Sequence, residues 1–354
     1  MEAGGDDVSD STLARRTEIA VKLDGIDIST DINRHFLQMT YTDNEADKTD
    51  DLRLSLDDRE GIWLTNWLNI GGEAVGAELS AVITQKNFGS DGADRILDCG
   101  KFFIDGVDGG GPPGTASIKS TSLPYKSTIR TATQTRAWEN INLSAIAREI
   151  ADRSGMVLMF ESLFDPLYDR REQVELSDIV FLRGLCYDAG ISLKASGGII
   201  VLFDAAEYEQ KPTVTKIRRG EANVKSYRFG TSTHDTYARS HVSYTDPQTG
   251  QTIEYTFTPR NSDPDGQTLK INERVRTRGE ARNLAMRRLR QRNKDKFQAE
   301  FTLVGDVRLV AGVTVDIIGW GLFDGKYIIQ RATHTVTASG YTLMLKLRRV
   351  LEGY

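Results

Sequence analysis

Residues 319–327 read Gly-Trp-Gly-Leu-Phe-Asp-Gly-Lys-Tyr and lie between two stretches in which apolar and polar residues alternate. Alternation with a period of two residues indicates half-buried strands. The apolar positions of these strands are Phe297, Ala299, Phe301 and Leu303 before the loop, and Tyr341, Leu343, Leu345 and Leu347 after it. The loop offers no set of nucleophile, base or metal ligands. This region therefore predicts a sheet that builds or binds rather than a catalytic pocket.

A basic helix is predicted just before these strands, over residues 280–296. Thr277 and Glu280 have the spacing of a capping box at its start. Its apolar stripe consists of Ala281, Leu284, Ala285 and Leu289. Two interpretations of its arginines stay open, a solvated or subunit-facing surface and a surface that binds nucleic-acid phosphates. The candidate contact residues of the chain are Arg287, Arg288 and Arg290 on this helix, with Trp320 and Phe323 in the loop.

Composition places the chain among proteins of two or three domains, with 354 residues and a net charge of −5. Residues 1–150 carry 15 Lys and Arg against 25 Asp and Glu, whereas residues 151–354 carry 30 against 25. Opposite charges on the two parts suit head-to-tail contacts between copies, and they also suit plain solubility. No apolar run is long enough for a membrane span, and the acidic N-terminus does not resemble a signal peptide.

The order of patterns along the chain is β, then α/β, then β. We predict a disordered tail over residues 1–16, a first β domain over 17–137, a small α/β module over 138–212, and a second β domain over 213–354. Helices are expected from Asn142 to Gly155 and from Ser177 to Gly190, each with glycine after its last turn. The glycine-rich run at 109–114 is interpreted as a turn.

Candidate catalytic and metal-binding groups do not assemble into a recognisable site. The cluster Asp57, Asp58 and Glu60 is more typical of a turn than of paired catalytic carboxylates. The acidic segment 43–51 lacks the glycine and the closing Glu of a calcium loop and is expected to be solvated. The four histidines have no metal-ligand spacing, and Cys99 and Cys186 are expected to be buried free thiols. We therefore predict no catalytic residue, no metal and no cofactor.

Several segments in order resemble the phage late control protein D family, the tail hub proteins of contractile phages and related injection systems. They are residues 52–59 with Trp63 and Trp67, residues 100–105 ahead of 111–113, residues 138–147, residues 176–182, and residues 310–313, 319–327 and 334–341. Together they cover the chain from about residue 17 onward.

The resemblance implies a non-enzymatic homotrimer. Two tube-like β-barrel domains per subunit would form a ring of pseudo-sixfold symmetry that adapts a hexameric tail tube to a separate trimeric spike. The implied partners are the tail tube protein, the spike protein and baseplate wedge or tape-measure proteins, with DNA or cargo only passing through the lumen. The implied location is a phage or tailocin particle, assembled from protein made in the bacterial cytoplasm. The alternatives are a nucleic-acid-binding protein that uses helix 280–296 and a tail-tip cell-wall hydrolase.

Overall fold

The computed structural model describes residues 14–67, 74–89, 92–123, 128–232, 236–260 and 262–354. The strands are β1 (Arg16–Leu23), β2 (Ile26–Asp27), β3 (Phe36–Asn44), β4 (Asp51–Asp57), β5 (Glu78–Lys86), β6 (Arg95–Gly110), β7 (Thr115–Thr121), β8 (Thr133–Asn142), β9 (Val157–Glu161), β10 (Leu167–Ser177), β11 (Ser192–Ser196), β12 (Ile199–Phe203), β13 (Thr215–Arg218), β14 (Val224–Thr231), β15 (Arg239–Thr245), β16 (Thr252–Phe257), β17 (Thr268–Ile271), β18 (Phe297–Val304), β19 (Thr314–Ile318), β20 (Gly325–Thr337) and β21 (Gly340–Arg349). The helices are α1 (Ser29–His35), α2 (Thr128–Thr131), α3 (Leu143–Arg153), α4 (Asp178–Ala189), α5 (Ala205–Gln210) and α6 (Arg278–Asn293).

The fold is mainly β, as predicted, and one sheet, with thirteen strands among the described residues, dominates it. Its main path is β14-β18-β21-β20-β3-β4-β7-β6-β5-β1-β2, and β19 branches from β20 to pair with β13. Within the described ranges this path is open at both ends, so the expected closed barrels are not found. A path with two ends leaves unpaired strand edges, which a barrel would abolish.

The sheet runs without a break through both predicted β domains. Strand β20 pairs with β21 and β19 of the C-terminal part, and from Arg331 onward it also pairs with β3 of the N-terminal part. Because β20 has thirteen residues, it is long enough to pair with strands of both β regions. The predicted division at residues 137 and 213 stays a prediction, but the two β regions share backbone hydrogen bonds rather than a linker.

His334 lies in the core where β20 joins the two β regions, and it is fully buried. Its Nδ1 atom is 2.6 Å from the Tyr341 hydroxyl, its ring stacks on Tyr41 at 5.7 Å, and its Nε2 atom is buried with no hydrogen-bond partner. Burial lowers the pKa of His334 from 6.5 to about 4, although Asp306 acts in the opposite direction. This histidine is therefore a neutral core residue at ordinary pH.

The two helices predicted within the small α/β module are confirmed. Helices α3 and α4 begin after Asn142 and Ser177, and Gly155 and Gly190 follow them with φ of 67° each. Such a left-handed residue after the last turn favours glycine. Strand β12 pairs in parallel with β9, and the helices pack their apolar faces against this sheet. A third helix, α5, was not predicted, because its six residues carry no apolar period.

Helix α6 spans Arg278–Asn293 and is shorter than the predicted 280–296. Thr277 caps it as expected, since its hydroxyl accepts from the Glu280 amide at 3.1 Å. The predicted apolar stripe is confirmed, because Ala281, Ala285 and Leu289 are fully buried. The helix packs on β15 and β16, whose hairpin turn at Asp246–Gly250 also forms as predicted.

Some predictions concern residues outside the described ranges. They include most of the tail at 1–16, the breaks at Gly71-Gly72 and at 90–91, and His234. Strand β1 already begins at Arg16. Within the described ranges, none of the helices combines the length and hydrophobicity needed to span a bilayer.

Candidate assembly surfaces

Arg287, the first candidate contact on α6, is held inside the chain. Its guanidinium makes two hydrogen bonds to the Asp204 carboxylate, at 2.6 and 2.9 Å, and lies 4.5 Å from the centre of the Phe164 ring. Both charged side chains are 13% exposed. Bidentate pairing of this kind is geometrically specific and stronger than a neutral hydrogen bond. Arg287 therefore docks α6 onto the small module.

Arg288 and Arg290 are also neutralised within the chain. Arg288 lies 3.2 Å from Asp188 and 2.6 Å from Glu273. Arg290 and Arg348 share the carboxylate of Glu209, a buried residue of α5. Burial alone would raise the pKa of Glu209, but the two guanidinium groups outweigh it and hold that pKa below its usual value.

Arg287, Arg288 and Arg290 are therefore already paired within the chain. Their partners are carboxylates of the small module and, for Arg288, also Glu273. A phosphate would have to displace Asp204, Asp188 or Glu209 before it could bind these side chains. This arrangement does not favour nucleic-acid binding through Arg287, Arg288 and Arg290. Sequence periodicity indicated the helix, but only tertiary structure shows that carboxylates 80 or more residues away face it.

Trp320 and Phe323 belong to an aromatic cluster at one end of the large sheet. Phe323 stacks on Phe229 of β14 with ring centres 4.7 Å apart, and Trp320 lies edge-on to Tyr227 at 5.3 Å. The two loop residues are half-buried, so a partner molecule would meet mainly Tyr227 and Leu322, which are 47% and 66% exposed. The tight loop depends on a 3₁₀ turn at Gly321–Phe323 and on Asp324, whose carboxylate accepts from the Trp320 amide at 2.6 Å.

Strand β14 is a free edge of the sheet. It pairs with β18 on one side, and no strand pairs with its other side within the described residues. Six of its eight residues are exposed. A row of unpaired amide and carbonyl groups of this kind is a template for pairing with another chain.

A second free edge lies in the C-terminal half of β6. Strand β5 pairs with β6 only as far as Phe103, so in the described structure residues 105–110 have β7 as their one neighbour. The prediction that Gly109 and Gly110 belong to a turn was wrong. The strand continues through Gly110, because the register with β7 extends to Thr115 and the turn occupies the residues between them.

Between these two edges the sheet presents one polar face. Thr333, Thr335 and Thr337 of β20 lie opposite Thr42, Thr40 and Gln38 of β3, and their neighbours on the other face are buried core residues. The row continues through Arg53 and Ser55 of β4 to Lys119 and Ser117 of β7. This polar face holds a shallow cavity of about 340 Å³ lined by hydroxyl, amide and charged side chains.

The acidic residues that were considered for calcium have another role. Asp43 and Asp50 are 5% and 4% exposed, and Lys194 of the small module lies 2.7 and 3.3 Å from them. Burial disfavours the charge on Lys194, but the two carboxylates outweigh it and raise its pKa. The expectation of a solvated loop was therefore wrong at these positions, where a buried ion pair joins β11 to β3.

The remaining candidate catalytic and metal-binding groups also have structural roles. The Asp58 carboxylate accepts from the amides of Trp63 and Leu64 at 2.7 and 3.2 Å, which fits the predicted turn role. Cys99 and Cys186 are buried and free, and burial raises the pKa of both thiols. Within the described ranges, no three His, Cys, Asp or Glu side chains are grouped closely enough to hold a metal ion.

The fold is similar to that of phage tail proteins and of a type VI secretion component. A 43 kDa tail protein of prophage MuSo2 from Shewanella oneidensis superposes with a TM-score of 0.65 at 16% identity, covering 94% of this chain and 98% of that one. A tail protein from Neisseria meningitidis gives 0.65 at 12% identity, covering 94% and 96%. A type VI secretion component of E. coli gives 0.56 at 14%, covering 94% and 78%. At these identities the likeness concerns the fold alone.

The sequence itself defines the family. Residues 124–340 match the family model of the phage tail baseplate hub (GPD), so the chain belongs to this family. Probable baseplate hub proteins of Escherichia phages P2 and 186 are 27% and 23% identical to it over 186 and 192 residues. Each match covers 52% of this chain and 44% of the relative, so the chain spans about half the length of the curated relatives it matches. The resemblance seen in the sequence is thereby confirmed.

Proposed function

We propose that the chain is a structural, non-enzymatic hub at the baseplate of a contractile tail or tailocin. In this role it forms a homotrimeric ring that adapts a hexameric tail tube to a trimeric spike. The family membership supports the hub role, and the unpaired strand edges of the large sheet support a part that is completed by neighbouring copies.

The conduit of this hub is lined, in our proposal, by the polar face defined above. Its core-facing side is already occupied by the chain's own hydrophobic clusters, which leaves the polar side for solvent or cargo. Threonine and serine hydroxyls dominate it, and charges of both signs, such as Asp51 and Arg53, are interspersed. Because the polar face has no cluster of positive charges, it would bind phosphates only weakly. DNA or cargo could therefore pass along it.

The ring is tested by co-expressing the chain with its tube protein and its spike protein and examining the purified complex by electron microscopy. We expect a ring with a central opening, with tube density on one face and spike density on the other. A chain that stays monomeric at high concentration, and that joins neither partner, would contradict the hub role.

The conduit is tested by maleimide labelling of assembled particles. Thr335→Cys on the polar face should react with a small maleimide but be protected from a bulky polyethylene-glycol maleimide. Thr256→Cys, an exposed residue of β16 in a separate sheet, is the matched control and should react with both. Equal reaction of both variants with the bulky reagent would show that the polar face does not line an enclosed passage.

A further inference from the structure

We propose that the cavity between the large sheet and helices α2 and α4 binds a peptide segment that carries carboxylate side chains. The cavity has a volume of about 550 Å³, which lies within the range of about 300–1,000 Å³ that is typical of ligand sites. Its lining residues all come from a single chain. Binding can therefore be measured whether or not the proposed ring forms.

Two parts of the fold form the walls of this cavity. The large sheet provides one wall, where Arg331 of β20 lies opposite Asn44 of β3, and Asp51 of β4 lies opposite Thr42. Helices α2 and α4 provide the other wall, together with the turn between β3 and β4. The polar residues from these helices and this turn are Arg130, Arg183, Asp47, Lys48 and Thr49.

Three arginines of the cavity have no ion-pair partner within the described ranges. They are Arg130, Arg183 and Arg331. Arg183 is partly buried, and its Nε atom is shielded from solvent without a hydrogen-bond partner. Arg331 donates from Nε to the side-chain oxygen of Asn44 at 3.1 Å, which leaves its two terminal nitrogens available to a ligand.

Other partly buried arginines of this chain are neutralised by its own carboxylates, as Arg287 is by Asp204. A guanidinium group that is partly removed from water is stabilised when a carboxylate accepts its hydrogen bonds. Arg183 and Arg331 face one cavity from opposite walls and lack such a carboxylate in the described structure. A ligand with carboxylate groups would supply the missing partners.

The charges around the cavity favour an acidic peptide over a nucleic acid. Lys48 and the three arginines outnumber Asp47 and Asp51, so positive charge prevails but is interrupted by two carboxylates. A nucleic acid would bring a continuous row of phosphates against these carboxylates, whereas the amide N–H groups of a peptide can donate to them. Burial raises the pKa of the Asp51 carboxyl, although Arg53 acts in the opposite direction. The site is thus partly shielded from water, where charge-assisted hydrogen bonds are stronger.

Peptide binding to the full chain tests this proposal. The probe is a fluorescein-labelled hexapeptide of alternating glutamate and glycine, and the same peptide with glutamine in place of glutamate is its control. A labelled single-stranded oligodeoxynucleotide is the second probe. Fluorescence anisotropy is recorded at low and at high salt. The variants Arg183→Gln and Arg331→Gln each remove a proposed contact, and Arg282→Gln removes the same charge from an exposed position of α6 outside the cavity.

We expect saturable binding of the glutamate peptide, at least tenfold tighter than that of the glutamine peptide and weaker at high salt. Arg183→Gln and Arg331→Gln should each weaken it about tenfold, whereas Arg282→Gln should bind like the wild type. Because Arg183 has no ion pair to lose, Arg183→Gln should keep the wild-type midpoint of thermal unfolding.

Three results would overturn the proposal. They are the absence of saturable peptide binding, equal affinity of Arg183→Gln and the wild type, and tighter binding of the oligodeoxynucleotide that is lost with the same two arginines. None of these results bears on the ring, which electron microscopy of the co-expressed complex tests separately.

Discussion

The buried histidine at the junction of the two β regions gives a prediction with a definite pH window. The pKa of His334 falls from 6.5 in the unfolded chain to about 4 in the folded protein, chiefly because burial disfavours the imidazolium. Between these values the unfolded state binds more protons. The stability that depends on neutral His334 is therefore fully present above pH 6.5 and is lost as the pH falls toward 4. A shift of this size corresponds to about 3 kcal/mol.

The variant His334→Gln isolates this contribution. Glutamine can hydrogen-bond to the Tyr341 hydroxyl but does not titrate in this range. The free energy of unfolding is measured by urea titration at intervals from pH 8 to pH 4, with tryptophan fluorescence as the signal. We expect the advantage of the wild type over the variant to be constant above pH 7 and to shrink by about 3 kcal/mol by pH 4.

A difference measurement is needed because other groups titrate nearby. Burial raises the pKa of Asp50 and of Asp51, so these carboxyls favour the folded state on acidification, and their effect cancels between wild type and variant. Unfolding energies of wild type and His334→Gln that stay parallel from pH 8 to pH 4 would refute the reasoning.

Three further predictions concern stability, each measured by thermal or urea unfolding. Arg287→Ala should destabilise by about 3 kcal/mol because it leaves Asp204 buried and unpaired, and the double variant with Asp204→Ala should cost less than the sum of the two single changes. Gly190→Ala should destabilise by about 2 kcal/mol, since φ is 67° and its Cβ would lie 2.8 Å from that of Arg287; Gly197→Ala, with open space around it, should cost less. Gly184→Ala should stabilise by about 0.5–1 kcal/mol, because it lies in open space on α4, and a loss would contradict this.

Local patterns were sufficient to predict most elements of this chain. Alternating residues indicated the strands β4 and β21, and capping and left-handed glycine positions located α3 and α4 to within a few residues. These signals are local because side-chain period and chain ends depend on neighbours in sequence. Helix α5 and the edge strand β14 were not predicted. A helix of six residues has no measurable apolar period, and most side chains of β14 are exposed.

The candidate site depended on distant contacts and was predicted less well. The sequence predicts a contact surface at the arginines of α6. In the fold, these arginines are instead paired with Asp204, Asp188 and Glu209 of the same chain. The sequence predicts that Asp43 and Asp50 are solvated, but the fold buries both residues against Lys194. The sequence around a charged residue does not identify its ion-pair partner when that partner lies about 80 to 150 residues away.

The sequence by itself determined a mainly β chain with an α/β insert and its membership of the baseplate hub family. Both follow from residue periodicity and from motifs that keep their order along the chain. Only the tertiary structure decided that β20 joins the two β regions into one sheet, and that β14 lies at an unpaired edge of this sheet. Strand order and edge exposure arise from pairing between remote segments, and the residues of a strand specify its faces but not its neighbours.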